Sequence, residues 1–463
     1  MQKFIAKFGC AAHLAVMTVA PLFLFPWVGR ETLAVVMLWL SLPAALWSML
    51  EPSVRGGEHL HDARRRVLRG MLRDPLLWAS AVIVIITGVR AVNTGIALAY
   101  NAETAKWFVA EGAFPILPGS VGDAGVLPFA VAVALTVLLQ GHRHSLGLQA
   151  RMAYLLTASA LGGISAAVSH LAVFCGQPGA LALTETANAA CSFVGLSYGL
   201  LLLGGTVALV SAFEFRWNLA MLLLVFSVGG TAAGAFAFSP AYLSAGIGLA
   251  ELLLLVYSFV YSRRNLQSSG EFKMLVVGGM AIVLGGLMTA ALLPEAAVSG
   301  RIDAYASQAF FAERFWATRA MLSHVALKAW LSHLWIGTGL GSFLLDFRFH
   351  AAPEAWAAFP RGVAAMGNGW WQLLAERGLV GFVAFALPFG FLLFTYGRRL
   401  VGGVLAWTLP HPACLLLPLG LALFAATGFF DCSPMRADAL LAVTSVMAVS
   451  AASFPRKKKD KHG

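Results

Sequence analysis

The chain has 463 residues, 59% of them hydrophobic and only 11% charged, with a mean hydropathy of +0.79 and a formal net charge of +11. A soluble domain carries roughly 25% charged residues, so this composition excludes an ordinary soluble enzyme and points to an integral membrane protein. The positive charge is distributed one-sidedly along the chain, which argues for a topology signal and against a nucleic-acid partner.

Apolar runs of about 20 residues, each able to cross a hydrocarbon core of roughly 30 Å, recur from end to end. Such runs favour helices over a barrel, so the expected class is an all-α polytopic membrane protein forming one membrane domain over 1–463. In chain order the predicted spans are 9–28, 32–50, 75–97, 125–140, 152–175, 188–212, 218–238, 241–261, 274–293, 379–397, 410–430 and 438–454. That is about twelve transmembrane helices with both termini cytoplasmic. The first run follows Lys3 and Lys7 as in a signal sequence, but no small-residue cleavage site follows, and it reads as a retained helix. Arg55, Arg64, Arg65, Arg66, Arg69, Arg73, Arg143, Arg151, Arg216, Arg263, Arg264, Lys273, Arg398, Arg399 and the tail Arg456–Lys461 all fall on one side of this arrangement. The short outer loops hold Arg30, Lys106 and Arg436, which is the positive-inside pattern. The five cysteines have no metal-ligand spacing; Cys175 and Cys191 flank an outer loop and read either as a disulfide or as small apolar helix residues.

Ionisable groups inside spans face the protein interior and mark functional sites by default. Arg90 and Asn93 lie near the outer end of the third span, and His170 is similarly placed in the fifth. Arg90 is at a depth suited to an outer-leaflet cavity. Glu251, near the middle of the eighth span, is either a buried structural partner or an acid that keeps its proton.

One outer loop, 294–378, dominates the chain, and a loop of this length is usually functional. Residues 307–334 carry an amphipathic helical pattern, and 369–378 lead helically into the next span. A smaller outer loop, 98–124, carries Glu103, Lys106, Glu111 and Asp123. The large loop is rich in cations: Arg301, Arg314, Arg319, Lys328, Arg348, Arg361 and Arg377, with His324, His333 and His350. Most of these suit a solvated loop, paired with Asp303, Glu313, Asp346, Glu354 and Glu376. Helical geometry separates Arg319 from them. Glu313, Arg314, His324, Lys328 and Ser332 share one arc, whereas Arg319 falls among Phe315, Trp316, Leu322, Ala326 and Trp330. A guanidinium on an apolar face needs an anionic partner, and its planar fork matches phosphate. A phosphate ligand and a snorkelling structural arginine are both open readings.

Gly337, Gly339 and Gly341 alternate after His333. They suit either close chain packing or close approach to a ligand. They do not form a nucleotide loop, since no Gly-Lys-Ser/Thr ending follows. Asn368 precedes a helical run and suits an N-cap, with Gln372 and Glu376 one and two turns on. The positive end of that helix favours an anion such as diphosphate, and ordinary capping is the alternative.

The segments His333-Leu-Trp-Ile-Gly337-Thr-Gly339-Leu-Gly341-Ser-Phe343 and Asn368 to Gly381 (with Gln372, Leu373, Leu374, Glu376, Gly378 and Leu379) resemble the signatures of the O-antigen ligase and O-antigen polymerase superfamily of bacterial envelope glycosyltransferases. The motif resemblance covers 314–381. It implies a fold of about twelve helices with one large structured periplasmic loop, located in the bacterial inner membrane. It implies transfer of an undecaprenyl-diphosphate-linked glycan to an acceptor hydroxyl at the periplasmic face, without metal or cofactor. The acceptor is a glycan, the lipid A core or a protein, and nucleic acid is not a partner. Carried over residue by residue, Arg319 holds the diphosphate and Asn368 with its helix is part of the site; Arg314 and Arg90 are further candidate cations from the reading of the residues themselves. Gln372, Gly337, Gly339 and Gly341 complete the candidate donor site. Three departures stand out. Gly367 occupies the position of the family's histidine base, so His350 and His324 are the candidate replacements. Leu334 replaces a proline after His333, and the family's intramembrane Ser-Arg element has no counterpart. The rival expectations are a lipid-linked oligosaccharide flippase or other transporter, and a metal-dependent oligosaccharyltransferase using Glu103, Glu111 and Asp123.

Overall fold

A computed structural model describes residues 59–73, 98–101, 106–109, 148–174, 187–214, 218–239, 241–265, 313–339, 341–360, 362–363, 366–405 and 409–430, with single positions elsewhere. The predicted spans at 9–28, 32–50, 75–97, 125–140, 274–293 and 438–454 lie outside these residues apart from such single positions. So do Arg90, Asn93, Glu103, Glu111, Asp123, Cys175, Arg301 and Asp303.

The described part is mainly helical. Helix α1 (Leu60–Leu72) occupies the basic segment that reads as a loop. It was invisible to a search for apolar spans because its length is carried by arginines. A short pair of extended segments, β1 (Leu98–Asn101) and β2 (Lys106–Val109), runs antiparallel beside this helical frame. Four long helices follow: α2 (Leu148–Phe174), α3 (Ala187–Glu214), α4 (Asn218–Phe238) and α5 (Ala241–Asn265). Each falls within a few residues of a predicted span, because unbroken apolar runs bounded by polar residues define both.

Helices α2, α3 and α4 pack on one another, and α5 packs on α3. The α2–α4 contact is made by small residues. A Cβ on Gly163 would lie 2.8 Å from Ser227 Cα, and one on Gly230 would lie 2.9 Å from Gly163 Cα, so the two backbones touch. Close approach of this kind is how apolar helices gain packing energy where lipid removes the hydrophobic drive. The hydroxyls of Ser165 and Tyr198 meet at 3.1 Å across the α2–α3 interface. The outer side of α5 carries Leu249, Leu252, Leu253 and Val256, each more than half exposed. Large aliphatic side chains in such numbers on an exposed face suit a lipid surface and would be costly in water.

The late loop has its own core. Helices α6 (Glu313–Ser332), α7 (Phe343–His350) and α8 (Pro353–Ala358) pack with the start of α9 (Gly369–Leu405) around Leu322, Val325, Ala326, Phe343, Phe347 and Met366. Helix α9 is broken at Gly378, whose φ of 65° and ψ of −175° are not helical. The break falls at the predicted start of a span at 379. Beyond it the helix continues to Leu405, through the 398–402 segment that reads as a loop, since nothing breaks the helix there. A 3₁₀ turn (Pro412–Leu415), capped by His411 Nδ1 accepting from the Ala413 N–H at 3.1 Å, leads into α10 (Leu416–Phe430). Three helical stretches, Tyr242–Arg264, Gly369–Leu405 and Pro412–Phe430, are long and apolar enough to cross a membrane. The described part is thus that of a helical membrane protein.

Candidate functional site

The two motif segments are locked together. Thr338 and Gly339 donate their N–H groups to the carbonyls of Ala375 and Glu376, each at 3.0 Å. In return, Leu379 and Val380 donate to Leu334 and Trp335 at 2.9 and 3.1 Å. The break in α9 frees these groups from the helix and hands them to the turn. Gly337 and Gly378 sit face to face at the crossing. A Cβ on Gly337 would lie 2.4 Å from Gly378 N, and one on Gly378 would lie 2.4 Å from Gly337 N. Between close packing and ligand approach, the structure has Gly337 in close packing. Gly339 and Gly341 also have positive φ, and the Gly339 N–H is one of the ties just described.

Buried side chains complete the lock. Glu376, fully buried, accepts from the Gly341 N–H at 3.0 Å through Oε2 and from Gln372 Nε2 at 2.9 Å through Oε1. Gln372 Oε1 in turn accepts from the Met366 N–H at 3.1 Å. Both ends of the Gln372 amide are therefore engaged within the chain, and its expected role as a donor-site ligand gives way to a structural one. Asn368 is the N-cap foreseen in the sequence: its Oδ1 accepts from the N–H groups of Trp370 and Trp371, both at 3.2 Å.

A second buried acid, Asp346, meets the turn from α7. Its Oδ2 accepts from the Thr338 hydroxyl at 2.8 Å and the Ser342 hydroxyl at 2.9 Å; those hydroxyls lie 2.7 Å apart, and Ser342 also reaches Gly339 O at 2.8 Å. Two hydroxyl protons cannot satisfy all these contacts at once. Burial pushes this carboxyl up from its ordinary 3.8 to about 6, against the opposing pull of the Thr338 and Ser342 hydrogen bonds. The folded chain then binds more protons than the unfolded one between these values. The stability Asp346 contributes is full below about pH 4 and is lost as pH rises through about 6. Asp346→Asn is expected to remove this dependence, so that melting temperatures of wild type and variant converge in acid and the variant melts no lower at neutral pH. A wild-type profile flat across that range, matching the variant, would contradict the protonation.

Arg319 projects from α6 to a junction of three segments. Nη1 donates to the carbonyls of Gly367 and, at 3.0 Å, Phe429; Nη2 donates to Phe430 O at 2.7 Å. The guanidinium also lies 5.5 Å from the centroid of the Phe430 ring. The carbonyls of Phe429 and Phe430 end α10, where the helix dipole is negative, so a cation is at home there. The sequence called for an anionic partner for an arginine on this face, and its described partners are neutral carbonyl oxygens. The sequence could not show that a distant helix end would supply two of them.

The other candidates disperse. His324 and Lys328 are exposed on the side of α6 away from its buried residues. His350 is pushed below its ordinary value by burial first, and then by Lys328 and His333 nearby. A neutral imidazole would serve as a base, but its neighbour Lys328 lies nine residues along α6 from Arg319, about 13 Å of helix. Gly367 has a positive φ of 69°, and a Cβ there would meet Arg319 Nη2 at 3.8 Å, an ordinary contact. The side chain of Arg314 lies outside the described residues. No group of three or more His, Cys, Asp or Glu suited to a metal ion occurs among the described residues. Asp346 was overlooked as part of the site. The signal was present in Gly-Thr338-Gly-Leu-Gly-Ser342, with an acid one helical turn beyond the serine. The chain matches no protein-family model and no curated protein.

Proposed function

We propose that the chain is a membrane glycosyltransferase that joins or polymerises an undecaprenyl-diphosphate-linked glycan onto an acceptor hydroxyl at the periplasmic face of a bacterial inner membrane. In this reading about twelve helices cross the membrane with both termini cytoplasmic, and the 294–378 loop carries the site. One observation carries the reading: the Arg319 guanidinium and the helix start capped by Asn368 meet at Gly367. A fixed cation and a helix N-terminus side by side form a place for a diphosphate.

The acceptor oxygen attacks the anomeric carbon while the carbon–oxygen bond to the diphosphate breaks, and the electron pair goes to the diphosphate. Arg319 would exchange carbonyl oxygens for phosphate oxygens and hold the charge that develops there. Since position 367 carries no side chain, the work falls on leaving-group stabilisation. The hydroxyl proton is lost late, as suits an oxocarbenium-like transition state, and passes to the departing diphosphate, directly or through water.

Arg319→Ala is expected to abolish joined glycan in cells. Because Arg319 also ties three segments together, folded protein must be measured in the same cells; a charged hydrogen bond contributes about 1.5–3 kcal/mol. Normal glycan at normal protein abundance would remove Arg319 from the mechanism.

A further inference from the structure

Helix α5 inverts the usual polarity of a helix. Ser244, Glu251 and Ser258 are spaced seven residues apart, two turns each, and so fall on one line. They are 8%, 5% and 0% exposed, while the leucines of the opposite side face out. Polar groups turned inward from an apolar helix have been placed against the protein interior.

Glu251 has a half-satisfied carboxyl. Its Oε1 accepts from the Thr206 hydroxyl of α3, while Oε2 is buried with no hydrogen-bond partner among the described residues. Ser258 Oγ, two turns on, is in the same condition. No described cation faces the acid. On α3 the titratable side chain of the described face is Tyr198, whose hydroxyl meets Ser165. Helices α4 and α10 carry none. The 3₁₀ turn adds Cys414, and His411 before it stacks against Tyr261, ten residues or about 15 Å along α5. The arginines of α5 itself, Arg263 and Arg264, lie about 18 Å along the helix. A metal ion would need several oxygen ligands, but the side chains here offer two carboxylate oxygens and one hydroxyl, and helical carbonyls are engaged in their own ladder. A proton needs one oxygen.

We infer that Glu251 is a proton-binding site inside the helix bundle, so that the protein's cycle includes a proton-linked step. The inference stands apart from the glycosyl-transfer reading, since it uses none of the residues of the late loop. It is tested by infrared spectroscopy on the full-length protein in lipid nanodiscs. The expected result is a protonated carboxylic-acid carbonyl band that is missing in Glu251→Gln and shifts on transfer to D₂O. Carbodiimide labelling of the wild type, mapped by peptide mass, tests the same point without a variant and is expected to modify Glu251. Three results would overturn the proposal: a carboxylate in place of the acid, an acid band that does not exchange with D₂O in the folded protein, or loss of the band and the label on adding sodium ions, which would mark a metal site.

Discussion

Gly378→Ala is expected to leave little folded protein. The conformation at Gly378, φ 65° and ψ −175°, belongs to a region essentially restricted to glycine, and a side chain there costs about 1–3 kcal/mol in strain alone. The added Cβ would also lie 2.4 Å from Trp335 C and Gly337 N, and 2.5 Å from Ile336 N. These are backbone atoms of a turn tied down by four hydrogen bonds, so they cannot yield as a side-chain tip would. Together the two effects exceed about 4 kcal/mol, a loss that few single substitutions reach. Gly390→Ala, on the same helix beyond the break, is the control. A Cβ there meets nothing within 4 Å, and the change favours helix by up to about 1 kcal/mol. Size-exclusion profiles in mild detergent should show loss of the folded peak for the first and no loss for the second. Equal profiles would mean that the two segments do not cross as described.

Glu376→Ala is expected to be nearly as damaging, by a different route. It leaves the Gly341 N–H and the Gln372 amide without their buried acceptor, at about 1–3 kcal/mol for each orphaned donor. Glu376→Gln keeps the shape and one acceptor oxygen, but opposes a donor to a donor at the other contact. Its cost should therefore fall near half that of alanine. The order alanine worse than glutamine, read from thermal unfolding in nanodiscs, checks the relay; equal losses would mean that volume, not hydrogen bonding, holds the position.

Among the described residues, most of the helical frame was legible in the sequence because it is written in run length. The spans predicted at 152–175, 188–212, 218–238 and 241–261 correspond to α2–α5, and Asn368 was legible as a cap from its type and place. What the sequence could not show was pairing at a distance. Arg319 visibly needed a partner and pointed to an anion, yet its described partners include the carbonyls of Phe429 and Phe430, more than a hundred residues on. Gly337 visibly suited a close approach, but nothing local names Gly378 as the residue it approaches. Gln372 looked like a ligand because it lies one turn beyond a cap, and only its burial and hydrogen bonds show that its polar atoms are used internally. Helix α1 was missed for the opposite reason: a polar helix leaves no trace in a search for apolar runs.

The account rests on a leaving diphosphate meeting Arg319 beside Gly367. The most direct test is to purify the chain into nanodiscs, supply a polyprenyl-diphosphate-linked glycan with glycan, lipid A core and protein acceptors, and follow joined product together with released polyprenyl diphosphate. The account predicts both from the wild type, with a loss of about 100-fold or more in folded Arg319→Lys, which keeps the charge but not the fork. Folded wild type that releases no diphosphate with any acceptor, or an Arg319→Lys variant that works at the wild-type rate, would contradict it.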